Sequence, residues 1–100
     1  MIFRGTTPKF TFTLPFDTSL IDKVYITFYQ RDRKSIEKEM SDCELSYNKL
    51  TLKLTQNDTL SLVSNVDVQI QIRALLTDGS AVASKVNYKK VADVLKDGEI

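Results

Sequence analysis

Histidine and tryptophan are missing from this 100-residue chain, and it holds one cysteine, three glycines and two prolines. Without histidine there is no imidazole base, no imidazole metal ligand and no switch of that kind near neutral pH. A single Cys43 rules out an intrachain disulfide framework and a cysteine-built zinc site within one chain. Gly5, Gly79 and Gly98 stand far apart, so no glycine-rich loop can wrap a phosphate. Charge of one sign is equally scarce. Fourteen Lys and Arg against thirteen Asp and Glu leave a net charge of +1. Nucleic-acid binders draw much of their affinity from a basic excess, so this balance argues against such a partner. The basic clusters are local, Arg31, Arg33 and Lys34 and then Lys85, Lys89 and Lys90, and Glu37 and Glu39 soon follow the first. No run approaches the roughly 20 apolar residues that span a bilayer. The opening Met1-Ile2-Phe3-Arg4-Gly5 lacks the apolar stretch of a signal peptide, so the chain is expected to be cytoplasmic as synthesised.

Period-two alternation is what the sequence does have. Phe10, Phe12 and Leu14 share one phase, as do Val24, Ile26 and Phe28, with Tyr25, Thr27 and Tyr29 opposite. Arg31-Asp32-Arg33 reads as a hairpin connection, and Ile36, Lys38 and Met40 follow at the same spacing. Glu37 and Glu39 between them suit an edge strand, where charge deters pairing with other chains. A hairpin of residues 43–54 is expected to turn at Asn48-Lys49, because Asn tolerates the left-handed region. Thr55 followed by Asp58 predicts a helical turn near residues 56–60, with Leu60 packed inward. Val66, Val68, Ile70 and Ile72 form the cleanest strand, and Asp78-Gly79 turns it into a return strand from Ala81 to Tyr88.

Six or seven short strands separated by turns predict an all-β fold, an antiparallel β-sandwich of immunoglobulin-like kind. Neither a linker nor a repeat divides the chain, so residues 1–100 are expected to form a single domain.

No constellation calls for catalysis, a metal or a cofactor. Asp17, Asp58, Asp78 and Asp97 sit where Asp commonly turns or caps the chain, and no twelve-residue calcium loop surrounds them. Cys43 lies between Asp42 and Glu44, which oppose a thiolate, and is read as a small core residue. Tyr25 and Tyr29, with neighbouring Arg31 and Arg33, are the candidate interface, since tyrosine is enriched at protein contacts. The alternative use of those four residues is stacking against carbohydrate or single-stranded nucleic acid.

Four stretches also carry a resemblance: Met1-Ile2-Phe3-Arg4-Gly5-Thr6-Thr7-Pro8, Leu52-Lys53-Leu54-Thr55-Gln56-Asn57-Asp58-Thr59-Leu60, Val68-Gln69-Ile70-Gln71-Ile72-Arg73 and Val94-Leu95-Lys96-Asp97-Gly98-Glu99-Ile100. Together they resemble small proteins encoded in phages and prophages of Firmicutes, and more distantly the N-terminal β-sandwich domain of phage baseplate upper proteins. The resemblance runs over nearly the whole chain and transfers no functional residue. It implies a non-enzymatic structural domain, tail- or baseplate-associated, working through protein partners or as a homo-oligomer. It also implies that the protein, made in the bacterial cytoplasm, is virion-associated or acts in assembly.

Overall fold

Apolar residues of alternating strands gather on one side of each strand, and these sides face a common core. A computed structural model describes residues 1–100 and defines ten strands and one α-helix. They are β1 (Ile2–Phe3), β2 (Lys9–Thr13), β3 (Ile21–Gln30), β4 (Arg33–Glu39), β5 (Cys43–Ser46), β6 (Lys49–Lys53), α1 (Gln56–Leu60), β7 (Val68–Leu76), β8 (Ala81–Ala83), β9 (Asn87–Lys89) and β10 (Val91–Ala92). The alternation predicts six or seven strands, and six have four residues or more. The others are pieces of two or three residues, too short to leave a period in the sequence.

Two antiparallel sheets hold most of the strand residues. One runs β2-β6-β5, and the other runs β4-β3-β7 with β8 and β9 both on the far edge of β7. Val24, Ile26, Phe28, Ile70 and Ile72 of the larger sheet join Leu50, Leu52 and Leu54 in one buried cluster. The Phe10 ring of β2 meets the Phe28 ring of β3 at 5.8 Å between centroids. β1 and β10 pair in parallel, a departure from the all-antiparallel expectation that brings the chain's two ends together. No helix is long and apolar enough to cross a membrane.

One hairpin forms as expected, whereas a second hairpin, the helical turn and the return strand each differ from expectation. Arg31 and Asp32 both take positive φ between paired Gln30 and Arg33, as a type I′ hairpin requires. The second hairpin turns at Tyr47-Asn48, one residue earlier than expected, and Tyr47 rather than Asn takes the positive φ of 53°. Thr18 holds it there: its N–H and its Oγ1 both donate to the Tyr47 carbonyl, at 2.6 and 2.7 Å. The helical turn forms where expected, but Thr59 is its buried residue and Leu60 only half-buried. Thr59 can be inside because its Oγ1 donates to the Thr6 carbonyl at 2.8 Å. The return strand from Ala81 to Tyr88 is broken. Residues 84–86 stand opposite only Gln71 and Ile72, so one extra residue bulges. At the break the Ile72 N–H donates to Ser84 Oγ in place of a backbone carbonyl.

Candidate functional site

β3 buries Val24, Ile26, Phe28 and Gln30, so Tyr25, Thr27 and Tyr29 must point to the outer side of the larger sheet. Register extends that side into rows. Glu39, Tyr25, Arg73 and Ala83 lie opposite one another across β4, β3, β7 and β8. Glu37, Thr27 and Gln71 form the next row, and Lys34, Tyr29, Gln69 and Tyr88 the third. No segment of the chain covers this face: Tyr25 is 39% exposed, Tyr29 38% and Tyr88 63%.

Of the four residues singled out from sequence, the structure brings Tyr25 and Tyr29 onto this face. Arg31 forms the hairpin tip, and Arg33 pairs with buried Gln30, so its phase is the opposite one. Lys34 is the cation beside Tyr29, and Arg73 the one beside Tyr25. Sequence reasoning missed Tyr88, Arg73, Gln69 and Gln71. The phase of Gln69, Gln71 and Arg73 was legible. That of Tyr88 was not: alternation puts it on one face with Val82 and Val86, and the bulge at residues 84–86 turns it to the outer face. Only strand pairing puts all four next to the two tyrosines.

A shallow groove of about 250 Å3 runs between Tyr29, Arg73 and Val86 over a floor of Thr27, Gln69 and Gln71. Gln71 donates its amide to the Ser84 carbonyl at 3.0 Å, which fixes part of that floor. Arg73 has no carboxylate within salt-bridge distance and borders a second hollow beside Tyr25 and Lys23. This face therefore offers aromatic surface, neutral hydrogen-bonding groups and an unpaired guanidinium. The outer side of the smaller sheet differs: Lys9 and Lys53 share a depression with Asp42 and Glu44, so its charge is balanced within itself.

Several of the remaining polar groups are engaged in holding the fold. Asp17 and Asp78 accept N–H bonds from Ser19 and Ser80, which hold both carboxyls below their usual range. Burial alone would raise the Asp58 carboxyl. The Thr55 N–H and the Lys38 ammonium, both about 2.9 Å from Oδ2, outweigh it and lower the pKa. Burial, reinforced by the Asp42 charge, pushes the Cys43 thiol up to about 11, which disfavours the nucleophilic thiolate. Ser35 and Ser46 each stand three residues before a lysine. Lys38 is committed to Asp58, and Ser46 and Lys49 face each other exposed beside the Tyr47-Asn48 turn. No three His, Cys, Asp or Glu side chains converge so as to hold a metal ion. In comparisons with known proteins, no family model, no curated protein and no solved structure matches the chain.

Proposed function

We propose that this chain is a non-enzymatic interaction domain that binds a protein partner through the outer face of its larger sheet. The observation that carries this reading is the uncovered surface of Tyr25, Tyr29 and Tyr88 around unpaired Arg73. Tyrosine and arginine are the side chains that contribute most when protein surfaces meet, because each joins apolar area to a polar end. The fold in this reading is a β-sandwich of immunoglobulin-like kind. Its support is the shared core of the two sheets and the Phe10–Phe28 contact between them. The setting comes from the sequence resemblance: a phage or prophage structural domain, tail- or baseplate-associated.

A second reading has its own observation. The floor of Thr27, Gln69 and Gln71 beside the Tyr29 ring offers the hydroxyl, amide and aromatic groups that suit a carbohydrate. One variant tests both. Tyr25→Ala/Tyr29→Ala/Arg73→Glu changes exposed positions and should leave the thermal melt nearly unchanged. Wild-type chain should retain a tail or baseplate protein from an induced lysogen, and the variant should not. A glycan array bound by wild type and lost in the variant would favour the second reading. Equal retention of partners by both proteins would sink the role given to this face.

A further inference from the structure

We propose that an extended, acidic segment of a partner protein adds as a fourth strand to the smaller sheet, antiparallel to β2. The hydrogen-bond pattern of β2 carries the inference. The Leu14 N–H donates to the Asn48 carbonyl at 2.7 Å and the Leu54 N–H to the Pro8 carbonyl at 3.0 Å, which fixes the alternation of the β2–β6 ladder. Phe10, Phe12 and Leu14 therefore turn their backbone groups to β6, and Lys9, Thr11 and Thr13 turn theirs away from it. No group of the chain bonds these N–H and C=O groups. Pro15, which has no N–H, ends the row.

The other sheet edges are blocked or short. At the end of β4 the Glu39 N–H donates to Asp42 Oδ2 at 2.9 Å, and the Glu39 carbonyl accepts from Cys43 Sγ. On β5 the Cys43 N–H is taken by the Met40 carbonyl. β8 and β9 are pieces of three residues parted by the bulge. An open row of backbone groups is a template for a strand from outside, and β2 presents the longest one.

What lies beneath that edge decides the occupant. β4 passes through Met40–Asp42 into β5, so β5 sits over the β4 side of the larger sheet and β2 over the β8–β9 side. Residues directly opposite in antiparallel strands share a face. Val82, Asn87 and Lys89 stand opposite Ala74, Ile70 and Val68, all buried, and so belong to the inward face. All three are nonetheless exposed, because the smaller sheet has no strand above them. A second copy joining its own β2 there about a two-fold axis would drive the projecting β8 and β9 of both copies into the same space. A single extended strand fits.

The same inward face sets the chemistry of that strand. A hollow of about 240 Å3 lies between Leu14, Phe16 and Val82, so β8 is level with the end of β2 and can take an aliphatic side chain. β9, which pairs earlier along β7, is level with the start of β2. Lys89 there has no ion-pair partner, nor have Lys85 and Lys90, and no acid occurs between residues 79 and 92. An inward acid opposite Phe10 therefore matches Lys89. Main-chain bonds give such additions their affinity, and alternate side chains give them their specificity.

This inference stands apart from the tyrosine face, so Tyr25→Ala/Tyr29→Ala/Arg73→Glu should bind the probe as wild type does. The probe is a labelled peptide, acetyl-Thr-Leu-Thr-Val-Thr-Glu-Thr-amide, set opposite residues 15 to 9. In a polarisation titration, N-methylation of its fifth residue, which bonds to Thr11, should cut affinity at least about tenfold. N-methylation of its fourth residue, whose N–H points away from β2, should not. Amide exchange at Lys9, Thr11 and Thr13, fast in the free chain, should slow on binding. Lys in place of the peptide's Glu should weaken binding severalfold, and Lys89→Glu, at an exposed position, should reverse that preference. Thr11→Pro removes a donor that the β2–β6 ladder does not use and should abolish binding. If that variant unfolds, the two N-methyl peptides on wild type still decide. No binding, equal binding of those two peptides, or no preference for acid over lysine would each overturn the proposal. So would a dimer of the chain alone that Thr11→Pro dissolves, which would assign the edge to a second copy.

Discussion

Gln30 shows how a single residue can follow the pattern and still escape a reading of it. Its phase continues Val24, Ile26 and Phe28 inward, and it is 4% exposed although polar. Burial is tolerable because its amide donates to the Val63 and Val66 carbonyls and its oxygen accepts from the Val63 N–H, all within 3.0 Å. These partners lie more than thirty residues downstream, beyond the reach of any local rule. Gln30→Leu keeps the volume and strands three backbone groups near the core. Unpartnered buried groups cost about 1–3 kcal/mol each, with some relief from water at a loop. We expect a loss of about 2 kcal/mol, or roughly 10 °C in melting temperature for a domain of this size. A urea titration showing a change within about 0.5 kcal/mol would mean the loop finds other partners.

Elements were legible where their chemistry is local and illegible where a distant contact decides. The turn at Gln56–Leu60 was readable from Thr55 and Asp58 alone, and both reciprocal capping bonds are present. Lys38, which reaches Asp58 Oδ2 from β4 at 2.9 Å, was not. The Tyr47-Asn48 turn failed for the same reason: Thr18 and Leu14 grip its two carbonyls from another part of the chain. The return strand failed because Ser84 supplies an acceptor that lets the ladder skip a residue. The Asp58 cluster makes a pH prediction. Its carboxyl titrates lower in the folded state, so the unfolded chain binds the proton first as pH falls. Its contribution is therefore complete at neutral pH, above the ordinary carboxylate value near 3.9, and disappears as pH drops through the folded value. Asp58→Asn should cost about 1 kcal/mol at pH 7, the usual worth of such a cap, and make the acid limb shallower. The limb will not become flat, because Asp17, Asp78 and Asp93 are also shifted downward. Parallel stability curves for the two proteins between pH 7 and 3 would show that Asp58 has no such role.

At the scale of the whole molecule, alternation specifies which face of a strand is apolar but not which strand lies beside it. The tyrosine face depends on β9 joining β7, and the closure of the fold depends on Ile2 finding Val91. Such pairings are fixed by collective burial and by a few long-range polar clamps, of which Arg4 is the most extended. Its guanidinium donates to the Leu60 and Leu62 carbonyls at 2.9 Å and to Asp93 at 2.8 Å. One side chain thus joins the start of the chain, the end of α1 and the segment after β10. A planar fork can serve three acceptors in fixed directions, and a lysine cannot. Arg4→Ala should cost about 2 kcal/mol through unpaired carbonyls and the lost ion pair. Arg4→Lys should recover only part of that, since a point charge can face Asp93 while leaving a carbonyl unserved. Amide exchange distinguishes this clamp from general destabilisation. Protection should fall first at Ile2, Arg4 and Asn65, whose N–H groups bond across to β10 and its neighbour Lys90. It should persist at the amides of β3 and β7, which lie within the larger sheet. A uniform loss across both regions would mean that the β1–β10 closure does not open apart from the rest.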